Sequence, residues 1–319
     1  MSNRKQDRVR AAVYQQSKTP HPLSRVAMPS CPLPQAGEGA ATSHAYCFYR
    51  HVSAAMVGQK KQPPMSRRRT LLMLAVLLLF LAPLVARAAL FAASDEPRSW
   101  RDADWSSAGL LPDAAAYRPA RVVVFTGKAG AWKGIFSVHS WIVLKHANAP
   151  SWTRYDVVGW GAPVRTNGWP ADGRWYGSRP VAIADISGAE AERLIPRIEQ
   201  AVRDYAYAQD GDYRVWPGPN SNSFVAAILR AMPELRVSLP PNAVGRDFRK
   251  GFYAGLSDSR TGIEVSVYGL AGFKLGWVEG IEVDLLGFVA GLDLRHPGVK
   301  LPGYGRIGLP APVTTAVAS

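Results

Sequence analysis

The spacing of hydrophobic positions changes along this chain, and each change predicts a different element. From Leu71 to Val85 the residues are apolar and uncharged, interrupted only by Pro83. Such a run has no polar face to present to water and predicts a membrane-crossing helix or the core of an export signal. Segments 121–126, 137–144, 153–158 and 180–186 are short, rich in β-branched and apolar residues and bounded by turn formers, which predicts four strands. Segment 191–208 follows the helix entry Ser187-Gly188-Ala189-Glu190 and sets Leu194, Ile198, Ala201, Val202 and Tyr205 on one helical face. Segment 223–232 turns Phe224, Val225, Ile228 and Leu229 inward before Pro233 stops it, a second helix. From 262 to 309, apolar runs such as 263–268 and 281–286 alternate with glycines, as in a β-meander or a set of hairpins. The sum is an α+β fold, an antiparallel sheet packed on two helices after an N-terminal hydrophobic helix.

These patterns divide the chain. Residues 1–64 are rich in Pro, Gly, Ala, Ser and His without hydrophobic period, so they read as a disordered tail or a misassigned start, with Met65 the expected initiator. Residues 65–93 form a signal peptide or transmembrane anchor: Arg67-Arg68-Arg69 supply the positive flank, and Ala86-Arg87-Ala88 offers a small-x-small cleavage pattern. Either way the inner membrane is the expected partner through residues 70–93, with the following domain exported to the periplasmic side. Residues 94–119, with Pro97, Pro112 and Pro119, read as a linker; 120–250 form the core domain, and 251–319 a β-rich extension ending in a flexible tail. The glycine-rich apolar tail region is also compatible with a place near the bilayer surface.

Charge then changes the expected partner. The chain carries a formal +14, but 13 of its 38 basic residues precede residue 94, and 94–319 hold 25 basic against 22 acidic residues. The basicity belongs to the leader, so no nucleic-acid surface is expected on the domain. Both cysteines, Cys31 and Cys47, lie in the leader too. That excludes a thiol nucleophile, an internal disulfide and Cys-ligated metal from the rest. No phosphate-binding loop, dinucleotide fingerprint or His-Glu-x-x-His helix occurs, so no metal and no other cofactor is expected. Nothing in the sequence sets an oligomeric state.

The remaining candidate chemistry is a hydroxyl and an imidazole. Asn220-Ser221-Asn222-Ser223 opens the second helix, where unpaired N–H groups and the dipole favour developing negative charge. It is equally a good N-cap cluster. Ser221 needs a base, and His139, which alternates with Ser137 and Trp141 on the second strand, is the candidate. Trp160 and Trp169, with Arg165 between them, sit in a long Gly/Pro-rich loop between the third and fourth strands, suited to a glycan, lipid or anionic ligand or simply to pinning the loop down.

His-Ser-Trp on a strand followed by Asn-Ser-Asn-x-Phe-Val at a helix start resembles the circularly permuted papain-like proteins, among them the lecithin:retinol acyltransferase-like enzymes and relatives of NlpC-type peptidases. From 121 to about 246, with Tyr155-Asp156-Val157-Val158-Gly159-Trp160-Gly161 and Trp216-Pro217-Gly218-Pro219-Asn220-Ser221-Asn222, the chain is more similar still to the uncharacterised bacterial family DUF3750. The resemblance implies a permuted papain-like domain with His139 preceding the nucleophile, Ser221 where those families carry Cys, and Asp156 as the group that orients the imidazole. Asn220 and Asn222 would flank the nucleophile, and Trp141, Trp160, Arg165 and Trp169 would contact ligand. Two functions follow from this: a serine-dependent hydrolase or acyltransferase acting on a cell-envelope peptide or lipid, or a non-catalytic protein that binds such a peptidoglycan or lipid ligand in the same cleft.

Overall fold

The computed structural model describes residues 66–315, so what is expected of residues 1–64 lies outside the described residues. The first element is the apolar helix α1, Arg67–Ala92, with Ser66 as its N-cap. It is long and apolar enough to cross a membrane, and only Phe80 along it is buried.

The domain that follows is α+β. Five strands, β1 (Arg121–Lys128), β2 (Val138–Lys145), β3 (Thr153–Val157), β4 (Val164–Thr166) and β5 (Val181–Ser187), make an antiparallel sheet in the order β4-β3-β2-β1-β5. All four expected strands begin and end within two residues of the observed ones, and the last of them, β5, pairs with β1 rather than with its neighbour in sequence. The three-residue β4 is the addition: it lies inside the turn-rich loop, too short to carry a period, and is held by pairing such as Asp156 with Arg165.

Helices α2 (Ala189–Arg203) and α3 (Ser221–Arg230) cover one face of this sheet. Val122, Val124, Ile142 and Leu144 meet Leu194, Ile198, Phe224 and Ile228 there, all nearly without solvent contact. Each large side chain buried this way contributes about 1.5–3 kcal/mol. Helix α2 stops before its expected end because Tyr205 turns back into this core, edge-on to Phe224 at 5.0 Å. The opposite face carries Val123, Phe125, Trp141 and Val143 and is roofed by Trp175 and its neighbours. Residues 94–119 contain no helix or long strand, yet they help build that roof: Trp105 packs on Trp175 at 5.1 Å, and Asp172 accepts hydrogen bonds from the Leu110 backbone and the Ser107 hydroxyl.

The last part is a meander of seven antiparallel strands in sequence order, β6 (Phe252–Leu256), β7 (Gly262–Val267), β8 (Ala271–Gly276), β9 (Gly280–Leu285), β10 (Phe288–Asp293), β11 (Gly298–Leu301) and β12 (Gly305–Gly308). Tight turns join them, as the run of apolar segments and glycines predicts. The chain then returns to the first sheet, where Asp185 donates its N–H to Thr314 O at 2.8 Å.

Candidate functional site

The site begins with a gap between two strands. β2 and β3 are registered over only three pairs, Ile142 with Tyr155, Val143 with Arg154 and Leu144 with Thr153, and beyond them the strands part. Alternation puts His139, Trp141 and Val143 on the face roofed by Trp175, together with Arg154 and Asp156, while Ser140, Ile142 and Leu144 face the helices. Where the strands part, side chains from both faces border the same space.

His139 is fixed from two directions. Its Nε2 lies 2.7 Å from Asp156 Oδ1, and its ring stacks on Trp175 with centroids 3.7 Å apart and planes 10° from parallel. Asp156 is wholly buried and is bonded in turn by Arg154, whose Nε donates to Oδ2 at 2.5 Å and whose Nη2 donates to Oδ1 at 3.2 Å. Arg154 is also wholly buried, with Nη1 donating to Pro170 O and its guanidinium 4.2 Å from the Trp141 ring centre. Burial alone would raise the Asp156 carboxyl, but the Arg154 guanidinium and the His139 hydrogen bond hold it below the usual range. Burial lowers His139, and the Asp156 carboxylate only partly opposes it. The result is a neutral imidazole beside an ionised carboxylate, and since a carboxylate only accepts, Nε2 carries the proton and Nδ1 the lone pair.

The helix start explains three of its four polar residues structurally. Asn220 is the N-cap, its Oδ1 accepting from the N–H groups of Asn222 and Ser223, while Ser223 Oγ accepts in return from the Asn220 N–H. This capping box begins the helix two residues earlier than the apolar spacing predicts. Gly245 makes room for it: at φ +94° its backbone runs so close that a Cβ there would stand 2.3 Å from Asn220 Nδ2. Asn222 is equally committed, donating to Val138 O and Val244 O, both at 2.9 Å, and accepting from Ser140 Oγ at 2.7 Å. Ser223 Oγ donates to Gly245 O at 2.6 Å. Of these four residues only Ser221 makes no side-chain hydrogen bond with the described residues. Because the cap takes the next two N–H groups and Phe224 bonds Asn220 O, the Ser221 N–H is the one donor of the first turn with no partner among the described residues.

His139 and Ser221 border one open cavity of about 340 Å³. Its walls are largely apolar, with Trp132, Phe136, Trp160, Trp175, Trp216 and Phe288 among them. No hydrogen bond joins Ser221 Oγ to the imidazole; Ser221 belongs to α3, which covers one face of the sheet, and His139 to the strand face roofed by Trp175. Of the other residues singled out in the sequence, Trp160, Asn220 and Asn222 also line the cavity, and Asp156 reaches it through His139. Trp141, Arg165 and Trp169 do not. Trp141 is buried behind His139 with its indole N–H on Ala171 O, Arg165 bonds the Trp160 carbonyl, and Trp169 packs on Trp175 in the roof.

The sequence offers no pointer to Phe288, which arrives from β10, whereas Trp216, the first residue of the motif that runs to Asn222, does reach the cavity, its indole N–H tied to Leu286 O at 2.8 Å. Arg154 did leave a signal. A charged residue two places before Asp156, on a strand whose other positions, Thr153, Tyr155 and Val157, are uncharged, puts both charges on one face, where they must pair if buried. Among the described residues no cluster of His, Cys, Asp and Glu could hold a metal ion.

No curated protein and no solved structure matches the chain. Residues 119–248, the segment that contains β1–β5, α2 and α3, match the family described as "Protein of unknown function (DUF3750)".

Proposed function

We propose that the cavity is an acyl-transfer site on a permuted papain-like domain, in which Ser221 is the nucleophile, His139 the base and Asp156 the group that orients it. The observation that supports this most is the division of labour at the helix start: Asn220, Asn222 and Ser223 are consumed by structural bonds, and Ser221 is left free in the cavity that holds an uncharged, oriented imidazole. As Ser221 Oγ attacks a carbonyl carbon, its proton passes to His139 Nδ1 and the carbonyl oxygen takes up the charge, with the free Ser221 N–H as a donor. Collapse of the tetrahedral intermediate returns the proton to the leaving alcohol or amine, and water or a second acceptor then takes the acyl group from Ser221. The apolar walls suit an acyl chain or another apolar substituent, so the expected substrate is a cell-envelope lipid or acylated peptide, met by a domain held at or beyond the inner membrane by α1.

The second reading, a binding protein without chemistry, is favoured by the absence of a hydrogen bond between Ser221 and His139. One experiment separates the two. The purified full chain is incubated with a serine-directed fluorophosphonate, alongside Ser221→Ala and His139→Ala. The catalytic reading expects labelling of the wild type that both substitutions remove. Unlabelled wild type that still binds a fluorescent acyl lipid, with binding blocked by Val138→Trp in the cavity, establishes the binding reading. Equal labelling of all three proteins places the reactivity at another serine.

A further inference from the structure

The seven-stranded meander is inside out for a sheet in water. Cross-strand register aligns Leu256, Ile263, Leu275, Ile281, Leu292, Val299 and Ile307 in one row over all seven strands. A second row sets Val265 beside Phe273 and Val283. These side chains point outward: Ile263, Val265, Phe273, Leu275 and Val283 are between 38% and 54% exposed. The intervening row is charged and turned inward. Glu264 pairs with Lys274 and Lys274 with Glu282, and beyond Gly291 of β10 Lys300 continues the row on β11; all four charged residues are at most 5% exposed. They are satisfied from behind and among themselves, Arg249 donating to Glu264 and Lys300 to Glu282.

A sheet with one face in water keeps its charges on that face and buries the apolar one. Here ion pairs occupy the interior, at a desolvation cost, and the apolar side is left outside. At ordinary strand spacing and rise the face measures roughly 30 by 20 Å, on the order of 600 Å², the upper end of what monomers leave uncovered.

We propose that this face lies against a lipid bilayer. What selects a bilayer over a second copy of the chain is its continuity with α1. The second half of that helix packs against β10 and β11, with Leu84 and Arg87 beside Gly303 and the Arg87 guanidinium 5.5 Å from the Tyr304 ring centre. The first half exposes Leu71, Leu72, Leu77 and Leu78, each more than half accessible. One hydrocarbon phase covers helix and sheet together, whereas a second copy stacked on the sheet leaves the helix uncovered. The meander is thus a second membrane contact, independent of whatever chemistry the cavity performs, and it keeps the domain down on the surface that α1 enters.

The test reconstitutes the full chain into phosphatidylcholine–phosphatidylglycerol vesicles that contain a phospholipid with a photoreactive diazirine in its acyl chain, and maps the adducts by mass spectrometry. Adducts on Val265, Phe273 and Val283, several-fold above any on α2, are expected beside those on α1. Adducts confined to α1 overturn the proposal. In a parallel measurement, nitroxides are placed at Val265→Cys, Val283→Cys and Arg193→Cys with Cys31 and Cys47 changed to Ser. The two sheet positions are expected to collide more with oxygen than with a water-soluble nickel chelate, and the α2 position the reverse. Sheet labels that behave like the α2 label, or that are shielded from both reagents by a second copy, overturn it as well.

Discussion

Trp175 lies flat against His139, and this contact, together with the Asp156 bond, sets the protonation of the imidazole. Beneath the indole the ring is cut off from water, which lowers its pKa from the ordinary 6.5 despite the adjacent carboxylate. A base held neutral this way works to lower pH than a free histidine. The acid limb of the pH dependence of fluorophosphonate labelling is therefore expected below about 6.5. Trp175→Ala, by admitting water to the ring, moves that limb upward. The same shift acts on stability with a definite sign: below 6.5 the unfolded chain takes up a proton that the folded one refuses, so stability falls as pH drops through that value toward the lowered folded pKa. Labelling rates and urea midpoints measured across this range check both statements, and a limb above 6.5 contradicts them.

Arg154 and Asp156 are wholly buried, and removing one of them strands the other. Asp156→Leu is expected to cost about 3–5 kcal/mol, because the guanidinium then loses its counter-ion in a site closed to water. The double variant Arg154→Met, Asp156→Leu is expected to recover much of that loss while leaving Ser221 unlabelled, since the imidazole no longer has an orienter. Chemical denaturation of the single and double variants, read as a double-mutant cycle, gives the coupling directly. A double variant as unstable as the sum of the two singles contradicts it.

How much of this was legible beforehand depends on how local each signal is. The sheet and its helices could be read because their periods are local: Val122 to Phe125 in one strand, Leu194 and Ile198 one turn apart in α2. His139, Asp156 and Ser221 stood out by chemical type and by the family likeness. The gap that lets them share a cavity did not, because where β2 and β3 part is decided by pairing across the sheet. The aromatic residues divide in the same way. In the Gly/Pro-rich loop, Trp160 and Trp169 look alike in sequence, yet one borders the cavity and the other packs into the roof against Trp175 and against Trp105, which lies 64 residues earlier in the chain and so beyond the reach of any local pattern. The meander was visible as strands, whereas which of its faces turned outward required the partners Arg246 and Arg249 to be seen behind it.

The buried charges of the meander carry a pH signature of their own. Burial and the neighbouring Asp247 carboxylate push the Asp284 carboxyl up to about 8, from an ordinary 3.8. In the unfolded chain it ionises near the lower value, and in the folded chain near the higher one. Stability contributed by this group is therefore complete below about 4 and is lost as pH rises toward about 8. Asp284→Asn removes the ionisation and is expected to flatten the decline, leaving the variant more stable than wild type above about 8 and little changed at mildly acid pH. Thermal midpoints of both proteins across this range are the check; parallel curves locate the titrating group elsewhere.

Asn222 separates a structural role from a ligand role at the helix start. Its carboxamide joins three pieces of chain: it donates to Val138 O on β2 and to Val244 O in the loop before the meander, and it accepts from Ser140 Oγ. Asn222→Asp keeps the shape but turns a double donor into an acceptor, setting a carboxylate against two buried carbonyls. The expected cost is about 1–3 kcal/mol, more if the new carboxylate stays ionised. Because Val138 and Val244 both line the cavity, the damage spreads to its walls, so acyl-lipid binding weakens in step with stability. Asn222→Ala removes the donors without adding charge and is expected to lose less. If Asn222 instead met the ligand through its own amide, both variants would weaken binding at unchanged urea midpoint, and that pattern would exclude the structural assignment.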